Sequence, residues 1–150
     1  MKPRRVARRL ALDLLYEAEI RNLLPGEALE RRGDDEWVIR ADSDAPEEDL
    51  DVPADAIEYA QVLISGVQEH QAELDELIVR YADRWAIDRM PVIDRSLVRM
   101  ALFELLHSDD VPIAVVINEA VELAKELSTD DSGRFVNGLL GRIAERETAR

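Results

Sequence analysis

Apolar side chains recur at intervals of three and four along most of this chain, the spacing of one buried face of an α-helix. Over residues 4–22 they fall at Ala7, Leu10, Ala11, Leu14, Leu15 and Ala18, and Pro3 suits the start of such a helix. Pro25-Gly26 ends it, and a short helical turn is expected over residues 27–32. Periodicity returns at Ala54. One segment carries Ile57, Ala60, Val62, Leu63 and Ile64 up to Gly66, and a second carries Leu74, Leu77, Ile78 and Tyr81 up to Trp85. The pattern admits two helices here, or one bent near Ser65-Gly66.

Pro91 and Asp94 open the next segment, in which Leu97, Val98, Met100, Ala101, Leu102, Phe103, Leu105 and Leu106 are nearly continuous. A helix apolar around most of its girth belongs at the centre of a bundle. After Pro112 the spacing predicts a helix burying Ile117, Ala120, Val121, Ala124 and Leu127, with Asn118, Glu122 and Lys125 outside. A last helix, capped by Asp131 or Ser132, buries Val136, Leu139, Leu140 and Ile143. Gly138 and Gly141 inside it each cost about 0.5–1 kcal/mol relative to alanine, which the close approach of a neighbouring helix would explain. The fold class read from this pattern is all-α, one domain over residues 1–150. Residues 33–53 form an acidic loop, partly disordered, that Trp37-Val38-Ile39 could pin to the body.

Composition narrows the function. The chain is 47% hydrophobic and 35% charged, as a helical globular protein should be. No apolar run approaches the roughly 20 residues that span a bilayer, and no signal-peptide core follows the basic first residues. With no cysteine there is no disulfide, thiol nucleophile or Cys-based metal site. A cytoplasmic location is the plain reading. No Gly-rich phosphate loop, nucleophile elbow or paired-His metal spacing occurs. His70 and His107 stand alone in the sequence and read as structural, so no catalysis, cofactor or metal is expected.

The net charge of −14 argues at first against a polyanion partner, but its distribution reverses that. Between Glu27 and Asp55 twelve acids face only Arg31, Arg32 and Arg40. Before residue 10 lie Lys2, Arg4, Arg5, Arg8 and Arg9 with no acid among them. On a helix four of these guanidiniums crowd the first two turns, where the helix dipole favours acids and each cation forgoes about 0.3–1 kcal/mol. RNA or another polyanion accounts for such a placement; a frayed, solvated terminus is the alternative.

One stretch is more specific than any single helix. It runs DVPIAVVINEAVELAKELSTDDSGRFVNGLLG from Asp110 to Gly141, with polar connectors at residues 108–112 and 128–132. Its order of caps, core positions and helix-internal glycines closely resembles the NusB family of transcription antitermination factors, over residues 4–143 apart from the acidic stretch near 32–52. The resemblance implies about seven helices in two packed three-helix subbundles, and a non-enzymatic RNA-binding function. It implies binding of boxA-like RNA of ribosomal RNA leaders together with NusE, a small-subunit ribosomal protein, and entry into the RNA polymerase antitermination complex.

The resemblance also assigns residues. Lys2, Arg4, Arg5, Arg8 and Arg9 occupy the place of the family's RNA-contacting arginine-rich end. Tyr16 matches a tyrosine at the NusE contact, although by itself it reads as a rim residue. Asp94 matches an acid facing NusE, although it also reads as a first-turn acid. Asp131-Ser132-Gly133-Arg134-Phe135-Val136-Asn137-Gly138 matches the family's Asp-Ser-x-x-Phe-Val-Asn-Gly, which brings Asp131 and Phe135 toward the RNA and Phe135 toward NusE. Two other readings stand beside this one. A protein adaptor or homodimer would use the same surface without RNA. Similar helical domains also precede the catalytic part of some ribosomal RNA cytosine methyltransferases; these 150 residues leave no room for that part, so this reading is of a detached RNA-binding domain of such an enzyme. The acidic stretch departs from the family pattern; charge segregation suggests that it competes with RNA for the arginines, or that it only solubilises the chain.

Overall fold

The computed structural model describes residues 3–32, 37, 52–82 and 87–148. Among these there are six α-helices and no strand: α1 Pro3–Ile20, α2 Pro25–Arg31, α3 Ala54–Tyr81, α4 Val92–His107, α5 Ile113–Leu127 and α6 Asp130–Glu147. One 3-10 turn, Ile87–Arg89, precedes α4. The all-α expectation holds, and the question of one helix or two before Trp85 resolves as the single helix α3 of 28 residues. The expectations for Lys2, for Val38 and Ile39, and for the acidic loop apart from Trp37, Val52 and Pro53 lie outside the described residues. The chain divides into two compact units, Met1–Ser65 and Gly66–Arg150, with α3 running through the division.

In the first unit α1 buries Ala7, Leu10, Ala11, Leu14, Leu15 and Ala18, the stripe that the spacing predicts, and Val6 and Leu12 with them. It ends two residues before Asn22, which takes a left-handed φ of 58°, a conformation asparagine tolerates better than most side chains. Leu23 then donates its N–H back to the Ala18 carbonyl at 2.8 Å, and Pro25 starts α2. Arg32, just beyond α2, returns to α1: its guanidinium donates to Glu17 at 2.6 Å and lies 3.9 Å from Asp13. The same guanidinium sits over the ring of Trp37, 5.3 Å from its centroid. Trp37 itself is buried.

In the second unit α4, α5 and α6 pack on one another. α4 is buried at eleven positions from Asp94 to Leu105, and four of them are polar or charged: Asp94, Ser96, Arg99 and Glu104. Arg99 forms a two-pronged bridge to Asp75 of α3, at 2.7 and 3.0 Å. The far ends of α3 and α6 are joined by Tyr81 Oη donating to Glu147 at 2.6 Å and by Arg142 donating to the Tyr81 carbonyl at 2.9 Å.

Two sequence expectations need correction here. α5 buries Val116, Ala120, Leu123 and Ala124; Ile117 and Val121 are half-buried, and Leu127 is exposed. Its apolar residues are dense enough to support two overlapping stripes, and packing on α4 and α6 selects the one that begins at Val116. The glycines are also reassigned. A Cβ on Gly141 would meet nothing within 4 Å, and one on Gly138 only the end of Arg142 at 3.7 Å. Close approach occurs instead at Gly66, where an added Cβ would fall inside the Phe103 ring of α4.

Gly66→Ala therefore costs about 1–3 kcal/mol of overpacking, whereas Gly141→Ala gains about 0.5–1 kcal/mol; urea unfolding of the two variants should move in opposite directions. Glu17 supplies a pH-dependent prediction. Burial resists its ionisation, but hydrogen bonds from Arg32 and Arg21 outweigh this and hold its carboxyl below the ordinary value. A group with a lowered pKa in the folded state stabilises above its unfolded pKa, and that contribution fades as the pH falls through the folded one. Glu17→Gln should lower stability at neutral pH by about 0.5–1 kcal/mol, after discounting for exposure. The difference from the parent in thermal melts should shrink toward zero below about pH 4.

Candidate nucleic-acid interface

The first two turns of α1 carry Arg4, Arg5, Arg8 and Arg9, but burial separates them. Arg8 is only 5% exposed and belongs to the interior. Its position one turn from Leu12 places it beside the apolar stripe, unlike the exposed Arg4 and Arg5. Arg4 is exposed, and its guanidinium stacks 4.5 Å from the centroid of the Tyr59 ring on α3. That contact orients the side chain. Arg5 is exposed and Arg9 half-buried.

Steps of four, four, three and four residues place Arg5, Arg9, Asp13, Tyr16 and Ile20 along one face of α1. Asp13, Tyr16 and Ile20 on this face are exposed, Tyr16 to 39% and Ile20 to 58%. The face is thus cationic in its first half and apolar in its second. Arg9 and Tyr16 stand roughly 10 Å apart along the axis. Leu24, at the start of α2, adds a further exposed apolar side chain. The sequence reading singled out Tyr16 but passed over Ile20 and Leu24, which helical spacing alone could have flagged as large apolar residues off the buried stripe.

The motif at the start of α6 splits into packing and surface. The cap is Thr129, whose Oγ1 accepts from the Ser132 backbone N–H at 3.0 Å, in place of the expected Asp131 or Ser132. Ser132 is buried, and its hydroxyl donates to Asp94 Oδ2 at 2.8 Å, tying the first turn of α6 to the first turn of α4. Ser128 Oγ lies 3.0 Å from the same hydroxyl. Asp94 has no exposed surface in the single chain, and its carboxylate, tied to Ser132, joins two helix starts. Asp131 is exposed beside it and pairs with Arg134, while Phe135, four residues on, is half-buried on the same helix. A Cβ on Gly133 would stand 3.0 Å from Cγ of the exposed Lys125, a side chain that would have to give by a few tenths of an ångström.

The two histidines, read as isolated in the sequence, meet in the fold. Their rings stack 4.0 Å apart with Glu73 beside both. They are 37 positions apart and on different helices, so no local spacing could have found them.

Among the described residues no helix is long and apolar enough to cross a membrane. The NusB family model matches residues 5–145. The transcription antitermination protein NusB of Salinispora arenicola is 47% identical over 148 residues, covering 99% of both chains. Among solved structures, T. maritima NusB superposes with a TM-score of 0.78 at 35% identity, covering 97% of this chain and 92% of that one. The antitermination factor NusB crystallised with NusE and double-stranded RNA gives 0.76 at 27% identity, covering 97% and 98%. A helical fold with a basic first helix, a Ser132-centred junction of α4 and α6, and these full-length matches together place the chain in the NusB family.

Proposed function

We propose that this protein is a transcription antitermination factor that binds boxA-like leader RNA through α1, together with NusE, and so joins the RNA polymerase antitermination complex in the cytoplasm. It acts by binding rather than by catalysis, as its family does. The observation that carries the site assignment is the divided face of α1: Arg5 and Arg9 at one end, Tyr16 and Ile20 at the other. Arginine suits unpaired RNA because its planar fork pairs with phosphate and stacks on bases. Tyr16 and Ile20 offer apolar area whose burial by a protein partner is worth about 1.5–3 kcal/mol per side chain. One helix can then bind both partners side by side, with Asp131 and Phe135 on α6 as further contacts. A homodimer using Tyr16 and Ile20 would compete with NusE for them.

With Arg8 interior, the cations left for phosphate are Lys2, Arg4, Arg5 and Arg9. For single-stranded RNA the plot of log affinity against log salt should slope at roughly −2.8, and Arg5→Ala or Arg9→Ala should each flatten it by about 0.7. Gel shifts of boxA RNA across a salt series, alone and with NusE, measure this; a slope near zero rejects the α1 contact. Tyr16→Ala and Ile20→Ala should each weaken NusE binding about 10- to 100-fold in calorimetry with unchanged helical circular dichroism. Affinity retained in the double variant would remove NusE from this face.

A further inference from the structure

We propose that His70, Glu73 and His107 form a site for a divalent transition metal of the zinc class, which would clamp α3 to the end of α4 within the second unit. His70 and Glu73 are three residues apart on α3 and project from one face, while His107 is the last residue of α4. Glu73 stands 3.5 Å from His70 Nδ1 through one carboxylate oxygen and 3.3 Å from His107 Nε2 through the other. One ligand atom from each of the three residues can be chosen so that all lie within 4.8 Å of one another.

These separations have a chemical meaning. A charge-assisted hydrogen bond between imidazole and carboxylate closes to about 2.7–2.9 Å. Metal–nitrogen and metal–oxygen bonds of about 2.0–2.1 Å in a tetrahedron instead hold their ligand atoms about 3.3–3.4 Å apart. Both distances to Glu73 exceed the charge-assisted range but run to different carboxylate oxygens; a single oxygen must serve both rings, and one ligand atom of each residue already lies within 4.8 Å of the others. The pair of imidazole nitrogens can close the remaining gap by small rotations, since both rings are partly solvent-exposed, with side-chain exposures of 28% and 31%.

The site also has a floor. Phe103 is buried against Gly66 and stacks on both imidazoles, with centroids 5.8 Å from His70 and 5.6 Å from His107. This packing limits the freedom that the rings would lose on binding an ion. Two neutral nitrogens and one carboxylate select zinc, cobalt or nickel over magnesium and calcium, and water can complete the fourth position. Solvent reaches the group directly, so an ion needs no channel. Nothing in the RNA or NusE reading uses these residues.

The test is a titration of the full chain with Zn2+ by calorimetry, and with Co2+ by visible absorption and NMR, in millimolar Mg2+ that saturates exposed acids. The expected result is one ion per chain, loss of binding in His107→Gln and in His70→Gln, and a melting temperature raised several degrees by Zn2+ in the parent alone. The chain has only two histidines, so Co2+ should shift or broaden both sets of ring signals together in the unaltered protein. Absence of saturable binding, binding retained in either variant, or an ion that disturbs neither ring overturns the site. If a variant does not fold, the ring signals of the parent decide.

Discussion

α4 sits in the interior of the second unit with polar side chains that neighbouring helices engage: Arg99 is paired with the opposite charge of Asp75, and one oxygen of Asp94 accepts a hydrogen bond from Ser132. An unpaired buried charge costs several kcal/mol, far more than one tie contributes when made. Arg99 is held by Asp75 of α3 and Asp94 by Ser132 of α6, so each bond fixes the register of a different helix against α4. The apolar stripes give these helices a reason to pack, and the charges restrict them to one alignment. Phe103 on Gly66 adds a steric lock of the same kind, since only a glycine admits the ring.

Much of this was legible in the sequence, and the misses share a cause. The stripes of α1 and α6 were read residue by residue, because in those helices apolar and polar positions alternate cleanly around the axis. α5 was misread where Ile113, Val115, Val116 and Ile117 crowd the first turn, and only its neighbours decide which of them turn inward. The run Ser128-Thr129-Asp130-Asp131-Ser132 contains five residues able to cap a helix, so composition located the cap without selecting Thr129. Arg99 and Glu104 were hidden inside an apolar segment, and the meeting of His70 with His107 depends entirely on how α3 lies against α4. Local spacing reports local structure, while partners across helices come from packing.

The binding face shows the same division. That cations gather at one end of an anionic chain was plain from residue order. That one of them, Arg8, turns inward and another, Arg4, stacks on Tyr59 required the fold. The net charge of −14 sets a long-range field that disfavours RNA, and salt screens such a field beyond about 10 Å. Short-range arginine contacts are screened less, which is how a strongly acidic protein can still hold a polyanion at one helix. On the proposed reading, the apolar half of that helix gives a protein partner exposed area at Tyr16 and Ile20 to cover beside the RNA.

The central claim is that the exposed face of α1 is divided between RNA and protein. Arginine side-chain NMR resonances, followed as boxA RNA and then NusE are added, test it most directly. The account predicts that the Nε signals of Arg5 and Arg9 move with RNA alone while that of Arg8 does not, and that the Tyr16 ring and Ile20 methyl signals move only when NusE arrives. Perturbations that bypass α1 in both additions, or an Arg8 response equal to that of Arg5, would contradict it.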